Sequence, residues 1–312
     1  MPPVTATLQR ITPTGWPDAR TLRDRAVGAY LGLAIGDALG ATVEFMTPRE
    51  IQARHGVHKD ITGGGWLRLK AGQVTDDTTM ALALGEAILA QDGQVEPEAC
   101  ARAFDDWMRA KPVDIGNTVR RNLITWRRTG EAKAPYSEHD AGNGAAMRLL
   151  PVALVSLGRS LTDIATANAA QAHVTHHNAL SDAACECLIA LIHAGLLHRP
   201  AEALIAIDRL FDTQPVFKLP AKRVENPSGF IVDTMHAVLQ TLEDFEDVFP
   251  ALVDIVNRGG DADTTGAIVG MLVGARHGVD ALPKRWVRAL DRATRDRCTY
   301  QAEALLDHAL RH

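Results

Sequence analysis

Val27-Gly28-Ala29-Tyr30-Leu31-Gly32-Leu33-Ala34-Ile35-Gly36-Asp37-Ala38-Leu39-Gly40 is the stretch that decides the fold of this 312-residue chain. It lies in an apolar, Ala/Leu-rich segment, residues 21–41, that reads as a helix with glycine at every fourth position. A second segment repeats the pattern at Gly266, Gly270, Gly274 and Gly278. Glycine in a helix interior costs up to about 1 kcal/mol relative to alanine, so two such stripes demand a compensating reason. Residues four apart share a helix face, and a bare face lets another backbone come close. Glycine stripes of this kind are best known between membrane helices. Here Arg25, Asp37 and Arg276 favour a buried pair inside a globule. The two helices are expected at the centre of an all-α domain, their packing drawing Asp37 and Glu44 towards Asp261.

Helical spacing also marks residues 77–91, 97–110, 115–128, 145–157, 161–172, 181–197, 201–213, 229–242, 247–256 and 284–310. Residues 57–62 are the one weak strand candidate. Segments 42–74, 129–144 and 214–228 read as long irregular connections, which in a compact domain are often functional. They hold Gly63-Gly64-Gly65-Trp66, Gly142-Asn143-Gly144 and Asn226-Pro227-Ser228-Gly229.

Two short acidic clusters carry the chemistry: Thr75-Asp76-Asp77-Thr78 and Asp261-Ala262-Asp263-Thr264. Each precedes an apolar helical run, so each reads as a loop entering the first turn of a core helix. One Asp suffices for an N-cap, and two exceed the need. If the two helix starts meet, four carboxylates converge. Each pair at about 4 Å repels by roughly 4 kcal/mol at an effective dielectric of 20. A hard divalent cation removes that penalty, because Mg²⁺, Mn²⁺ and Ca²⁺ prefer oxygen ligands. The alternative is two ordinary acidic caps that never meet.

Composition excludes several classes. The chain is 46% hydrophobic and 23% charged, ordinary for a globular protein, and aromatics are scarce at 5%. A net charge of −5 lacks the basic footprint of general nucleic-acid binding. The four cysteines, Cys100, Cys185, Cys187 and Cys298, fit neither a zinc site nor a disulfide framework. No uncharged apolar run reaches the length of a membrane span, and residues 1–20 carry no apolar core of a signal peptide. A reduced, cytoplasmic protein is the expectation.

Gly142-Asn143-Gly144-Ala145-Ala146-Met147-Arg148 reads as a small-residue loop opening a helix, where free N–H groups favour an anion. It has no Walker lysine and no preceding strand, so a P-loop or Rossmann reading fails. Glu44 and Asp114 are lone acids beside apolar or loop segments, and either becomes a general acid or base if buried. Asp114 could equally cap the next helix. His176, in Thr175-His176-His177-Asn178, is either a ligand contact or a hydrogen-bonded loop histidine. His139-Asp140 with His176 and His177 raise a rival class, the all-helical HD-type phosphohydrolases. Against it, the tight Asp pairs are all-oxygen and the histidines fall at no ligand spacing.

Together these segments resemble the ADP-ribosylglycohydrolase family over almost the whole chain. The matching stretches are Gly36-Asp37-Ala38-Leu39-Gly40 with Glu44-Phe45, Gly63-Gly64-Gly65-Trp66, Thr75-Asp76-Asp77-Thr78 and Pro112-Val113-Asp114-Ile115-Gly116-Asn117-Thr118. Gly142 to Arg148 and Gly259-Gly260-Asp261-Ala262-Asp263-Thr264-Thr265 complete the set. The match around Asp114 and Gly142 favours the nitrogenase-directed branch of the family. The resemblance implies a single helical domain over 21–312, preceded by a flexible extension at 1–20.

It further implies a dinuclear Mn²⁺ or Mg²⁺ site, with Thr75, Asp76 and Asp77 on one side and Asp261, Asp263 and Thr264 on the other. Glu44 and Asp114 fall on positions bordering the scissile bond. Gly142, Asn143, Gly144 and Ala145 would receive the diphosphate of ADP-ribose, His176 would reach the cleft, and Phe230 would line the adenosine end. Phe230 stands where a close relative within the resembled family has a tyrosine, and His177 comes one position before that relative's second histidine. The implied reaction is metal-dependent hydrolysis of the N-glycosidic bond between ADP-ribose and an arginine side chain. The implied substrate is ADP-ribosylated nitrogenase iron protein. Control would come from a PII-type signalling protein that recruits the enzyme to the membrane, with no nucleic acid involved. Two alternatives remain: hydrolysis of another ADP-ribosyl linkage (serine-linked or acetyl-ADP-ribose), and a module that grips ADP-ribose without turnover. All six ligand positions are filled, which argues against the second.

Overall fold

In a computed structural model, residues 14–311 are described. The N-terminal extension expected at 1–20 falls largely outside them. Within it, Asp18 caps the first helix by accepting the N–H groups of Arg20 and Thr21, and Trp16 packs against Gly158 and the core.

The chain forms α1 (Ala19–Gly40), α2 (Pro48–His55), α3 (Asp76–Ala90), α4 (Pro97–Arg109), α5 (Asn117–Thr129), α6 (Leu150–Val155) and α7 (Leu161–Ala172). It continues with α8 (Ala179–Leu197), α9 (Pro200–Thr213), α10 (Ile231–Asp244), α11 (Val248–Asn257), α12 (Ala262–His277), α13 (Lys284–Ala289) and α14 (Arg292–Ala309). Among the described residues there is no strand, only isolated bridges at Gly64–Leu69 and Gly142–Phe230. One hydrophobic core runs through all layers.

The glycine stripes meet as the sequence predicts. Helices α1 and α12 lie antiparallel at the centre, with Gly28 against Gly274, Gly32 against Gly270, Gly36 against Gly266 and Gly40 against Ala262. A Cβ at Gly36 would sit 1.9 Å from the Gly266 carbonyl oxygen, and one at Gly270 would sit 2.0 Å from that of Gly32. No side chain fits this seam, and the antiparallel packing sets the C-terminus of α1 beside the N-terminus of α12.

Four sequence expectations need correction. Segment 42–74 is not wholly irregular, because α2 interrupts it, opened by a capping box between Thr47 and Glu50 with Pro48 in the first turn. The helix expected over 145–157 shrinks to the six residues of α6. Proline is tolerated only in a helix's first turn, and Pro151 therefore holds the start at Leu150. The helix expected over 284–310 breaks where Asp291 caps α14 through the Thr294 N–H, while its own N–H donates to the Gly72 carbonyl. Residues 57–62 form no strand. There the Asn257 side chain pairs with the backbone of His58 on both sides, at 2.9 and 2.7 Å.

Helix α8 is long and apolar enough to cross a membrane, with a mean hydropathy of 1.6, but 67% of that window is buried against the other helices and it carries Asp182 and Glu186. The four cysteines are free and buried, without a disulfide.

Candidate active site

Asp37, in the last turn of α1, is fully buried. Its carboxylate accepts the N–H of Thr75 (2.9 Å) and of Thr78 (3.1 Å), and the hydroxyls of both residues (3.0 and 2.5 Å). Asp37 thus caps α3 from a different helix. Thr75, at the N-cap position, makes no side-chain cap, and neither does Asp261 at the start of α12. The two acidic clusters are therefore not consumed as ordinary caps.

They converge. Carboxylate oxygens of Glu44, Asp114 and Asp263 lie within 4.8 Å of one another. The Asp261 charge raises the pKa of both Asp76 and Asp77, and the Asp76 charge raises that of Asp77. Burial is the larger cause: it pushes Glu44 and Asp76 up to about 8, and Asp77 and Asp263 well above the carboxylate range. Asp261 and Asp114 are raised for the same reason. Asp37 rises only to about 6, because four donors favour its charged form. Crowded carboxylates that cannot all ionise in a bare protein are what a hard cation relieves.

The donor set fits such an ion. The Asp77 Oδ2 lies 3.0 Å from the Thr75 hydroxyl, which has one proton to share between it and Asp37, and its Oδ1 is buried with no hydrogen-bond partner. A buried, unpartnered carboxylate oxygen is costly, and cation coordination is the interaction that removes the cost. The histidines stay out of this cluster. The ring of His177 lies 4.0 Å from that of His173 and its Nδ1 bonds the Ala134 carbonyl; Asp140 pairs with Arg121. The phosphohydrolase alternative therefore loses its ligands.

Around the cluster, Trp66 donates its indole N–H to Glu44 Oε2 at 2.7 Å. Its ring meets that of Phe45, with centroids 5.5 Å apart, and Phe45 adopts a positive φ of 61°. Both rings are exposed. Asn143 donates to Asp261 Oδ2 (2.6 Å) and to the Thr234 hydroxyl (2.9 Å), tying the small-residue loop to the acidic cluster. The Asn143 N–H bonds the Gly229 carbonyl and the Ile231 N–H bonds that of Ala141, which sets Phe230 beside Gly142. His176 packs against Gly142 and Gly144, where a Cβ would come within 3.1 and 2.6 Å of its ring.

Of the residues singled out from sequence, Glu44, Thr75, Asp76, Asp77, Asp114, Asp261 and Asp263 lie at this cluster, and Asn143 joins it to the loop where Gly142 and Gly144 meet His176. The loop does not open a helix as expected, since the N–H groups of Ala146 and Met147 turn back onto the Asn143 carbonyl. Sequence reasoning missed the hydrogen-bonding roles of Trp66 and Asp37. A tryptophan beside three glycines in a long polar segment was the available signal for the first. A cavity of about 990 Å³ between α3, α4 and α14 contains none of these residues.

An all-helical domain with a buried, divalent-ion-compatible carboxylate cluster over a small-residue loop defines the class, and residues 18–311 match the ADP-ribosylglycohydrolase family: the chain belongs to it. The ADP-ribosyl-[dinitrogen reductase] glycohydrolase of Rhodospirillum rubrum is 46% identical over 92% of this chain and 97% of its own length. The ADP-ribosylarginine hydrolase Tri1 of Pseudomonas putida (strain GB-1) is 36% identical over 85% of this chain and 73% of its own length. Among solved structures, a chain described as an ADP-ribosylglycohydrolase-related protein complex superposes with a TM-score of 0.81 at 34% identity. That match covers 93% of this chain and 99% of the other.

Proposed function

We propose that this protein hydrolyses the N-glycosidic bond between ADP-ribose and an arginine side chain, with ADP-ribosylated nitrogenase iron protein as its substrate. The observation that carries the reading is the meeting of Glu44, Asp114 and Asp263 within 4.8 Å beside the unpartnered Asp77 Oδ1. The Pseudomonas relative supports the arginine linkage, and the Rhodospirillum one supports the iron-protein substrate.

Two divalent ions, Mn²⁺ or Mg²⁺, would be held by Thr75, Asp76 and Asp77 from α3 and by Asp261, Asp263 and Thr264 from α12. Bound there, they supply Lewis acidity to the ribose hydroxyls and the attacking water. The remaining work falls to the chain. In the balanced reaction the water hydroxyl joins ribose C1″ and its proton ends on the departing guanidine nitrogen. A carboxylate must take one proton and hand one on, while the ribose carries oxocarbenium character. Glu44 and Asp114 are the two acids for this. Glu44, buried and held by the Trp66 indole, retains a proton near neutral pH in the bare chain and is assigned delivery to the leaving nitrogen. Asp114, half-buried, with one oxygen 2.7 Å from the Ile115 N–H, is assigned the water. Gly142, Asn143, Gly144 and Ala145 with His176 would take the diphosphate, and the exposed ring of Phe230 the adenosine. The same reading includes a cytoplasmic location and control by a PII-type signalling protein that brings the enzyme to the membrane.

The test is release of ADP-ribose from an ADP-ribosyl-arginine protein with Mn²⁺ and with EDTA, beside the Asp261→Asn variant. Mn²⁺-dependent release that the variant loses supports the reading. Release only from serine-linked or acetyl-ADP-ribose, or tight ADP-ribose binding with no turnover on any substrate, overturns it.

A further inference from the structure

Arg148 is the least expected charge in the molecule. It is fully buried, and no carboxylate pairs with it among the described residues. Its Nε donates to Gln171 Oε1 (2.9 Å), and its Nη2 donates to the Gln171 carbonyl (3.0 Å) and to Thr175 Oγ1 (2.8 Å). The guanidinium stacks 4.2 Å above the Phe104 ring, and Nη1 has no partner at all. A buried cation without a counter-ion is expensive, so packing alone does not account for it.

The hydrogen bonds have only one consistent direction. A guanidinium only donates, so Thr175 Oγ1 accepts from Arg148. The Thr175 hydroxyl has a single proton of its own, and the remaining partner of Oγ1 is His176 Nδ1, at 2.9 Å. If Nδ1 carried the proton, the buried Thr175 hydroxyl would be left without an acceptor. The Thr175 hydroxyl and Nδ1 are both satisfied when Thr175 donates to Nδ1, which leaves the imidazole proton on Nε2. That nitrogen faces Gly142 and Gly144, whose missing Cβ atoms would lie 3.1 and 3.0 Å from it.

We infer that Arg148 is a positioning residue. Acting through Thr175, it fixes His176 as the Nε2–H tautomer, a neutral donor presented to an anionic oxygen bound at the Gly142–Gly144 loop. This rests on the reading of that loop as the diphosphate site. Burial and the neighbouring Arg148 charge push the His176 pKa down to about 3, so the ring is neutral at working pH and its tautomer is a defined state. Two backbone glycines are kept free of side chains where the ring lies, and the proton on the ring is directed by a guanidinium whose pKa burial lowers to about 10, so that it stays charged at neutral pH.

The experiment is a long-range ¹H–¹⁵N correlation spectrum of the histidine-labelled full chain, with the His176 signals identified by their loss in His176→Gln. Binding of ADP-ribose in the presence of Mn²⁺ is measured on the same samples. The wild-type chain should show a protonated Nε2 and a bare Nδ1 from about pH 5 to 9. Thr175→Val should give a mixture of tautomers and weaken ADP-ribose binding about tenfold, and Thr175→Ser should restore both. Arg148→Lys, which keeps a donor but loses the fork, should show the intermediate pattern. A proton on Nδ1 in the wild-type chain, or a Thr175→Val variant that keeps the pure Nε2–H form, overturns the inference. A wild-type chain with the Nε2–H form that binds no ADP-ribose overturns the diphosphate reading and leaves the relay supported.

Discussion

Replacing Gly36 by alanine tests whether the α1–α12 seam needs bare backbone. The new Cβ would stand 1.9 Å from the Gly266 carbonyl oxygen and 2.2 Å from its carbon. Ordinary contact begins near 3.4 Å, so the helices must separate by more than 1 Å, and neither obstacle is a side chain that could swing aside. Overpacking of this kind costs about 3 kcal/mol, the upper end of the usual range. Alanine's better helix propensity returns about 1 kcal/mol, leaving a net loss of about 2 kcal/mol. Unfolding entropy of about 2.1 cal/mol/K per residue gives about 0.65 kcal/mol/K for the 312 residues. The melting temperature should therefore fall by about 3 °C in calorimetry. Activity should fall further than stability, because the same seam fixes Asp37 and Asp263 relative to each other. Gly116→Ala, whose Cβ would meet nothing closer than 3.9 Å, serves as the control and should change stability by less than about 0.5 kcal/mol. A Gly36→Ala protein that melts at or above the wild-type temperature would refute the close-approach argument, since propensity alone would then be acting.

Trp66→Phe keeps the ring beside Phe45 but removes the donor to Glu44, so kcat should drop about tenfold with the melting temperature unchanged. That donor favours the ionised carboxylate; without it the Glu44 pKa rises, and the limb of the kcat/KM profile it governs moves to higher pH. A profile that stays in place would separate Trp66 from Glu44. Mn²⁺ at about a hundred times its Kd should stabilise the protein by about 2.7 kcal/mol, or about 4 °C. Asp77→Asn should abolish that gain, and equal melting in Mn²⁺ and EDTA would count against the metal site. His193, half-buried and bonded to the Ala153 carbonyl at 2.7 Å, has its pKa lowered from 6.5 to about 4. The folded protein binds fewer protons than the unfolded chain between those values. The contribution, on the order of 3 kcal/mol, is thus complete above pH 6.5 and lost as pH falls towards 4. His193→Gln should flatten that acid limb in urea titrations, and an unaltered limb would refute the assignment.

The elements that sequence described well were those with a local cause. Helices α3, α4, α7 and α9 start and stop within two residues of their expected bounds, because apolar periodicity and terminal breakers are encoded within the segment. Helix α2, missed when residues 42–74 are read as irregular, has a local signal too, since Thr47-Pro48-Arg49-Glu50 spells its capping box. It was hidden only by the polar residues around it. Helices α6 and α14 went wrong where a single residue, Pro151 or Asp291, outweighed a continuing helical pattern.

The site divides the same way. Sequence by itself determined the two acidic clusters, their positions at the starts of apolar helices, and the glycine stripes that require those helices to touch. Four like charges and seven glycines inside helices (the eighth, Gly278, caps the end of α12 at a φ of 81°) are excesses that only a long-range contact explains, and excess is visible in the sequence alone. What only the tertiary structure decided is which groups act on which. Asp37 caps α3 from α1, Trp66 holds Glu44, Asn143 ties the loop to Asp261, and Arg148 directs the proton on His176 through Thr175. Each of these is one hydrogen bond or a few between residues that segment-level patterns do not connect. Such a bond leaves no periodicity behind, because its direction and partner are set by how the helices pack rather than by the residues on either side of it.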